Sequence, residues 1–79
     1  MSTFLEDYTE VVRRMHVRET EAGWFERKML GFVAAGIARF IRRRSCEYPA
    51  DRPALLVLAD RADAIAARCH SRHPPTGEA

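Results

Sequence analysis

The chain has 79 residues, of which 47% are hydrophobic and 30% charged, and its formal net charge is +2. This length suits a single domain near the lower limit for a self-sufficient core, and the apolar content excludes a disordered chain. Because the first residues are acidic and lack a basic segment, we expect no secretory leader, and the longest apolar run is too short to span a bilayer. These features predict a soluble, cytoplasmic protein.

The first predicted helix begins near Thr3, which has the spacing of a capping box with Glu6. Residues at helical spacing form its apolar face, which extends to about Arg18: Leu5, Tyr8, Val12 and Met15. The following stretch, 19–23, is polar and ends in Gly23, which lowers helix propensity. Thr20 is a candidate cap for a new helix there. We therefore predict a break between the first and second helices, with one bent continuous helix as the alternative.

The central stretch from Trp24 to Arg44 is the most strongly helical part of the chain, and its apolar residues follow two stripes about 100° apart around the axis. One stripe consists of Phe25, Met29, Phe32, Gly36 and Phe40. The other consists of Leu30, Val33, Ile37 and Ile41. Together they cover roughly half of the helix surface, so this helix requires packing partners on two sides.

A third helix is predicted from Pro53 to Arg72, after a connector in which Pro49 ends helical geometry and Asp51 provides an N-cap. Its apolar seam steps by three and four residues: Leu55, Leu58, Ala62, Ile65 and Cys69. The domain is therefore predicted to cover residues 1–73, and residues 74–79 are predicted to form a disordered C-terminal tail.

The predicted fold is all-α, a helical hairpin or three-helix arrangement in which the second and third helices pack antiparallel. We expect the stripe that contains Leu30 and Val33 to face the third helix, and the first helix to cover part of the stripe that contains Phe32. The reverse assignment remains open, because periodicity alone does not fix which stripe faces which helix. The first helix is expected to be the weaker attachment, since its link passes through the polar stretch 19–23.

The chain lacks a pattern that indicates catalysis or a cofactor. Cys46 and Cys69 are expected to be free thiols, accessible and protected respectively. Cys69, His70 and His73 resemble metal-ligand spacing, but three ligands at a helix end fall short of the four that a structural zinc site requires. Either thiol would need a histidine base and an oriented third group to act as a nucleophile, and we interpret His16 as a partly exposed flanking residue. We predict a non-enzymatic protein without metal, cofactor or small-molecule substrate.

The charge distribution is uneven and leaves a second function open. Residues 1–26 carry a net charge of −3 and residues 27–44 a net charge of +6, which favours pairing between these segments within or between molecules. The alternative is a small basic regulator that binds nucleic acid through a cluster at the end of the central helix: Arg39, Arg42, Arg43 and Arg44.

The favoured function is protein binding, because the central helix has more apolar surface than three short helices easily hide. The candidate partner-binding residues are large and apolar: Trp24, Phe25, Met29, Phe32 and Phe40. We expect a protein partner or self-association to a dimer or higher species, which sedimentation at micromolar concentration would detect.

The layout resembles the small needle-protein co-chaperones of type III secretion systems, of the YscE and SsaE type. The similar features are the start Ser2-Thr3-Phe4-Leu5-Glu6-Asp7, the connector Glu47-Tyr48-Pro49-Ala50-Asp51, and an Ala-rich last helix from Leu55 to Cys69 before a His-containing tail. The family's Gln-Tyr-rich stretch after the connector proline is replaced here by Arg52-Pro53-Ala54. The resemblance implies a bacterial helical hairpin that packs with a larger helical-repeat chaperone and keeps a needle subunit from polymerising.

Overall fold

The computed structural model describes residues 3–71, and over this range the chain is all-α, as the sequence predicts. Helix α1 is Phe4–Glu21, α2 is Trp24–Arg44 and α3 is Arg52–Ser71, with a short 3-10 helix at Ser45–Glu47. α2 is antiparallel to α1, because Phe4 meets Phe40 and Glu19 meets Arg27. It is antiparallel to α3 as well, because Arg42 meets Asp60 and Gly31 meets Cys69, and this packing is the most extensive in the fold. The predicted tail, 74–79, and the predicted end of the domain at residue 73 lie outside the described residues.

The boundary between α1 and α2 confirms the predicted break. Ala22 and Gly23 have extended backbone, with ψ angles of 143° and −179°, so the alternative of one continuous helix is wrong. The capping box at the start of α1 is also confirmed, because the Glu6 N–H donates to Thr3 Oγ1 at 3.0 Å and the Thr3 N–H donates to Glu6 Oε1 at 3.2 Å. Thr20 does not cap α2, since its hydroxyl donates to the Val17 carbonyl within α1.

The contact between α2 and α3 is formed mainly by small side chains. The fully buried residues of α2 are Gly31, Ala34, Ala38 and Ile41, and those of α3 are Leu55, Leu58, Ala59, Ala62, Ile65, Ala66 and Cys69. Small residues let two helix backbones approach closely, which buries the leucine and isoleucine side chains between them. The predicted seam of α3 is therefore confirmed.

The expected α2 stripe for this contact is wrong in part, because the helix is rotated so that its small residues face α3. Of the stripe that contains Leu30, only Ile41 is fully buried. Leu30 and Ile37 are half-buried at the edge of the core, and Val33 is 51% exposed. Gly31, Ala34 and Ala38 take the central positions.

The position of α1 differs from the expected one, because α1 packs more on α3 than on α2. Val12 and Met15 contribute its buried side chains to the shared core. Leu5 and Tyr8 pack half-buried against the same core. The Phe32 stripe of α2 therefore stays largely uncovered by α1.

Two glycines in α2 provide a matched test of the close packing. A Cβ atom at Gly31 would lie 2.8 Å from His70 Nε2 and 3.1 Å from Cys69 Cβ, whereas one at Gly36 would meet nothing within 4 Å. We expect Gly36→Ala to raise the free energy of unfolding by about 0.5–1 kcal/mol through helix propensity. Gly31→Ala should give no such gain, because the contact with α3 must open. Urea unfolding of both variants measures this difference, and equal stabilisation by the two would contradict the close approach.

Candidate protein-binding surface

The side of α2 opposite its buried small residues carries a continuous row of exposed apolar residues, of which Phe32 also meets the His70 ring of α3 edge-on. We call this row the outer face: Phe25, Met29, Phe32, Val33 and Gly36. The exposed fraction is 66% for Phe25, 52% for Met29 and 67% for Phe32. At 100° per residue, this row lies roughly opposite the small residues that contact α3. Contiguous exposed apolar surface of this kind marks interaction sites in soluble proteins.

Two more of the predicted partner-binding residues border the outer face in different ways. Trp24 is 58% exposed at the start of α2, and the Lys28 ammonium lies 5.2 Å from the centre of its ring. Phe40, at the other end, is 38% exposed and contacts Phe4 and Tyr8 of α1. Phe40 is therefore shared between the outer face and the interior.

The contacts of Phe40 belong to an aromatic cluster, which consists of Phe4, Tyr8, Phe40 and Tyr48. The Phe4 ring stacks on Tyr48 at 4.9 Å with an interplanar angle of 7°, and it lies 4.7 Å from Tyr8. The Arg44 guanidinium lies 5.4 Å from the centre of the Phe4 ring and 5.6 Å from that of Phe40. The cluster fixes the start of α1 to the end of α2. Sequence reasoning missed it, although Phe4 and Tyr8 have helical i, i+4 spacing.

The end of α1 is fixed by a second device, the charge clamp of Glu19, Arg27 and Arg68. Glu19 is only 4% exposed. Arg68 Nε donates to Glu19 Oε2 at 2.7 Å and Arg68 Nη2 donates to Oε1 at 2.9 Å, a two-pronged geometry. Arg27 of α2 donates to the Glu19 carbonyl oxygen, and its Nη2 lies 3.9 Å from Glu19 Oε2. One buried carboxylate therefore joins all three helices.

The electrostatics of the clamp follow from this geometry. The hydrogen bonds from Arg68 hold the pKa of the Glu19 carboxyl below its ordinary value of 4.5, although burial alone would raise it. The same bonds raise the pKa of Arg68. His16 is exposed, and its Nδ1 lies 3.6 Å from Glu19 Oε1. No sequence pattern indicates this arrangement, because Glu19 and Arg68 are 49 positions apart.

The structure divides the predicted arginine cluster. Arg42 Nη2 lies 2.8 Å from Asp60 Oδ1 and 2.6 Å from Asp63 Oδ2, and both hydrogen-bonded carboxylates raise the pKa of Arg42. Arg44 Nε pairs with Glu47 Oε1 at 3.0 Å. Arg39 and Arg43 are exposed and form no ion pair with a described residue. Two of the four arginines are therefore engaged in ion pairs within the folded chain.

The other candidate groups are not brought together. Cys46 is exposed in the 3-10 helix and Cys69 is buried in the α2–α3 contact, and no disulfide joins these two described cysteines, as predicted. His73 lies outside the described residues. Among the residues that are described, no three His, Cys, Asp or Glu side chains are grouped so that they would hold a metal ion.

A shallow groove of about 440 Å³ runs between α1 and α3. Val12, Leu58 and Ile65 contribute apolar side chains to its lining, and its rim includes Arg13 and Arg68. Of the three arginines in the lining, Arg13 pairs with Glu10 and Arg68 with Glu19, whereas Arg61 forms no ion pair with a described residue. The groove therefore offers fewer free polar groups than its arginine content suggests.

Comparisons of this chain with models of known protein families, with curated proteins and with solved structures find no match. No helix in the described part of the chain has both the length and the apolar character needed to cross a lipid bilayer. The class that the described geometry defines is thus a three-helix domain with one uncovered apolar helix face.

Proposed function

We propose that this chain is a non-enzymatic protein-binding subunit, a small co-chaperone or adaptor, which presents the outer face of α2 to a protein partner or a second copy. The observation that carries the proposal is the exposure of Phe25, Met29 and Phe32 on a helix whose opposite side is closely packed. The resemblance to needle-protein co-chaperones of type III secretion systems makes a secretion needle component or a larger chaperone the proposed kind of partner.

The energetics of the outer face fit this function. Burying a phenylalanine or methionine side chain stabilises an association by about 1.5–3 kcal/mol, and aromatic residues are frequent in interface hot spots. The packing of α2 on α3 holds the backbone of the outer face in a helix before association, so the cost of ordering that backbone does not oppose binding. The nucleic-acid alternative is less well supported, because Arg42 and Arg44 are engaged by carboxylates.

The double variant Phe25→Ser/Phe32→Ser tests the proposal. We expect it to keep the unfolding temperature within a few degrees of the original, because both side chains are largely exposed. It should lose association, which is measured in two ways. Sedimentation at micromolar concentration detects a dimer, and the immobilised chain is tested for the proteins that it retains. Val57→Ser is the matched control, since Val57 is 55% exposed on α3, away from the outer face.

Two results would contradict the proposal. One is that the original chain sediments as a monomer and retains no protein that the double variant fails to retain. The other is a double variant that unfolds, which would identify these side chains as core residues.

A further inference from the structure

One border and the C-terminal end of the outer face carry cations that form no ion pair with a described residue, although Lys28 lies over the Trp24 ring. Lys28 and Arg39 lie on this border, because a separation of eleven residues returns to nearly the same side of a helix. Arg43 lies beyond the last residue of the row, in line with Phe25, because eighteen residues make five full turns. All three are exposed, and none forms an ion pair with a residue that the structure describes. The single acidic residue of α2, Glu26, lies on the opposite border.

From this asymmetry we infer that the partner is an amphipathic helix with acidic residues along one border, which lies along α2 with its carboxylates against Lys28, Arg39 and Arg43. The inference rests on the proposed function and specifies the chemistry of the partner. Opposite charges beside an apolar contact select the partner and its orientation, and they accelerate the encounter.

The shape of the outer face fits a helix. Together with Phe40 at its border, the outer face extends from Phe25 over fifteen residue steps, about 22 Å at 1.5 Å per residue, which is the length of four turns. The row covers about 100° of the helix circumference, from Phe32 to Val33. Gly36 leaves an open notch between Phe32 and Phe40, since a Cβ atom there would meet nothing within 4 Å. A large apolar side chain of the partner fits this notch as a knob fits a hole.

The same charges disfavour a second copy as the occupant. In an antiparallel pair related by a two-fold axis, each border of one helix meets the same border of its copy. Lys28 of one copy would then lie near Arg39 of the other, and such like-charge contacts oppose association. A parallel pair would set the three cations against a border whose only carboxylate is Glu26.

A lipid surface is also a poorer fit. Helices that lie in a membrane interface bury a broad apolar face between polar borders rich in lysine and arginine. Here the cations that form no ion pair with a described residue line one border only, the other border carries Glu26, and the far side of α2 is packed on α3. α1 packs more on α3 than on α2 and contacts Phe40 at the border of the outer face, so a partner helix can lie beside α1 without displacing it.

The experiment uses the full chain and two synthetic amphipathic peptides of about 18 residues, five helical turns. Both peptides have the same leucine positions, and one has glutamates along a border where the other has lysines. Fluorescence anisotropy measures binding of each labelled peptide. We expect the glutamate peptide to bind at least about tenfold more tightly than the lysine peptide, a preference that weakens as salt rises.

Charge reversal locates the effect. The triple variant Lys28→Glu/Arg39→Glu/Arg43→Glu should lose about tenfold in affinity for the glutamate peptide and gain affinity for the lysine peptide. The control triple variant, Arg18→Glu/Arg52→Glu/Arg61→Glu, has the same net charge, and these arginines are exposed and form no ion pair with a described residue. It should keep the original preference.

The contrary outcomes separate the inference from the proposed function. Equal binding of both peptides that Phe32→Ser abolishes would overturn the charge inference and leave the protein-binding function standing. A dimer that Phe32→Ser dissociates, without binding of the glutamate peptide, would identify a second copy as the occupant. Preference for phosphatidylserine vesicles over the glutamate peptide would identify a membrane surface. Absence of any binding or association that depends on Phe32 would overturn both proposals.

Discussion

Replacing Glu19 with alanine is expected to lower the free energy of unfolding by about 2–3 kcal/mol, which is large for a domain of this size. The substitution removes both hydrogen bonds to Arg68 and leaves the Arg27 guanidinium partly buried beside an apolar methyl group. Arg27 Nε already lacks a hydrogen-bond partner among the described residues, and in the variant Arg27 keeps only its bond to the backbone carbonyl of residue 19. Arg68 is half-exposed, which limits the loss, because water can solvate its released guanidinium.

The pH dependence of stability provides the signature of this clamp. The pKa of Glu19 is lower in the folded chain than its ordinary value of 4.5, so the ionised form is favoured by folding. Its contribution is present above about pH 4.5 and is lost as pH falls through the lower folded pKa. We therefore expect the free energy of unfolding to decrease on acidification below that pH, and less steeply in Glu19→Gln.

Urea unfolding at neutral pH and at several acidic pH values measures both effects. Glu10→Gln is the matched control, because Arg13 and Arg14 lower the pKa of Glu10 to about 2, but Glu10 contacts only its own helix. In that variant the free energy of unfolding should also fall slightly less steeply on acidification, while its value at neutral pH stays close to the original. If Glu19→Ala lowers the free energy of unfolding at neutral pH as little as Glu10→Gln does, the clamp does not hold α1.

The fate of α1 bears on how a partner binds. The sequence suggests that α1 is the weaker attachment, because a polar stretch links it to α2. The structure shows that this link is short and that Glu19, at its edge, joins α1 to both other helices. Together with the aromatic cluster at the start of α1, the clamp stabilises α1 at both ends, so binding beside α1 is favoured over displacing it.

The helices could be predicted because their signals are local. The pair of Thr3 and Glu6 marks the start of α1, Gly23 marks the break, and Pro53 lies in the first turn of α3. Each of these residues acts through its own backbone or through neighbours within four positions. The bounds of α2 agree with the predicted stretch for the same reason.

The face by which α2 packs on α3 could not be predicted from apolar periodicity. Apolar periodicity favours large residues such as Val33 for this contact, whereas the closest contact is made by Gly31, Ala34 and Ala38. Choosing between them depends on how closely two backbones approach, and that distance is a property of both helices together. The alanines of α3 were the available signal, since small residues on one helix favour small residues opposite.

The candidate site was predicted where it depends on surplus apolar surface and missed where it depends on distant contacts. Trp24, Phe25, Met29 and Phe32 are exposed, which is consistent with the predicted partner-binding role, and that role itself stays a prediction. The buried position of Glu19 follows from a residue 49 positions away, and no local pattern distinguishes it from a solvated glutamate.

Phe40→Ala is expected to lower the free energy of unfolding by about 2 kcal/mol, whereas Phe32→Ala should change it by less than about 0.5 kcal/mol. The two residues share one helix and one apolar stripe, but their contacts differ. Phe40 contacts Phe4, Tyr8 and Arg44. Among the described rings, Phe32 contacts only the edge of His70. Association should respond in the opposite order, with the larger loss for Phe32→Ala.

Thermal and urea unfolding measure the stability of each variant, and sedimentation or peptide binding measures its association. A double-mutant cycle between Phe4 and Phe40 isolates their contact, 6.0 Å between ring centres, and should give a coupling free energy of about 0.5–1.5 kcal/mol. If Phe40→Ala preserves stability but abolishes association, Phe40 belongs to the binding surface and the cluster does not hold α1. If Phe32→Ala unfolds the chain, the outer face is part of the core, because an exposed side chain cannot carry that much of the folding free energy.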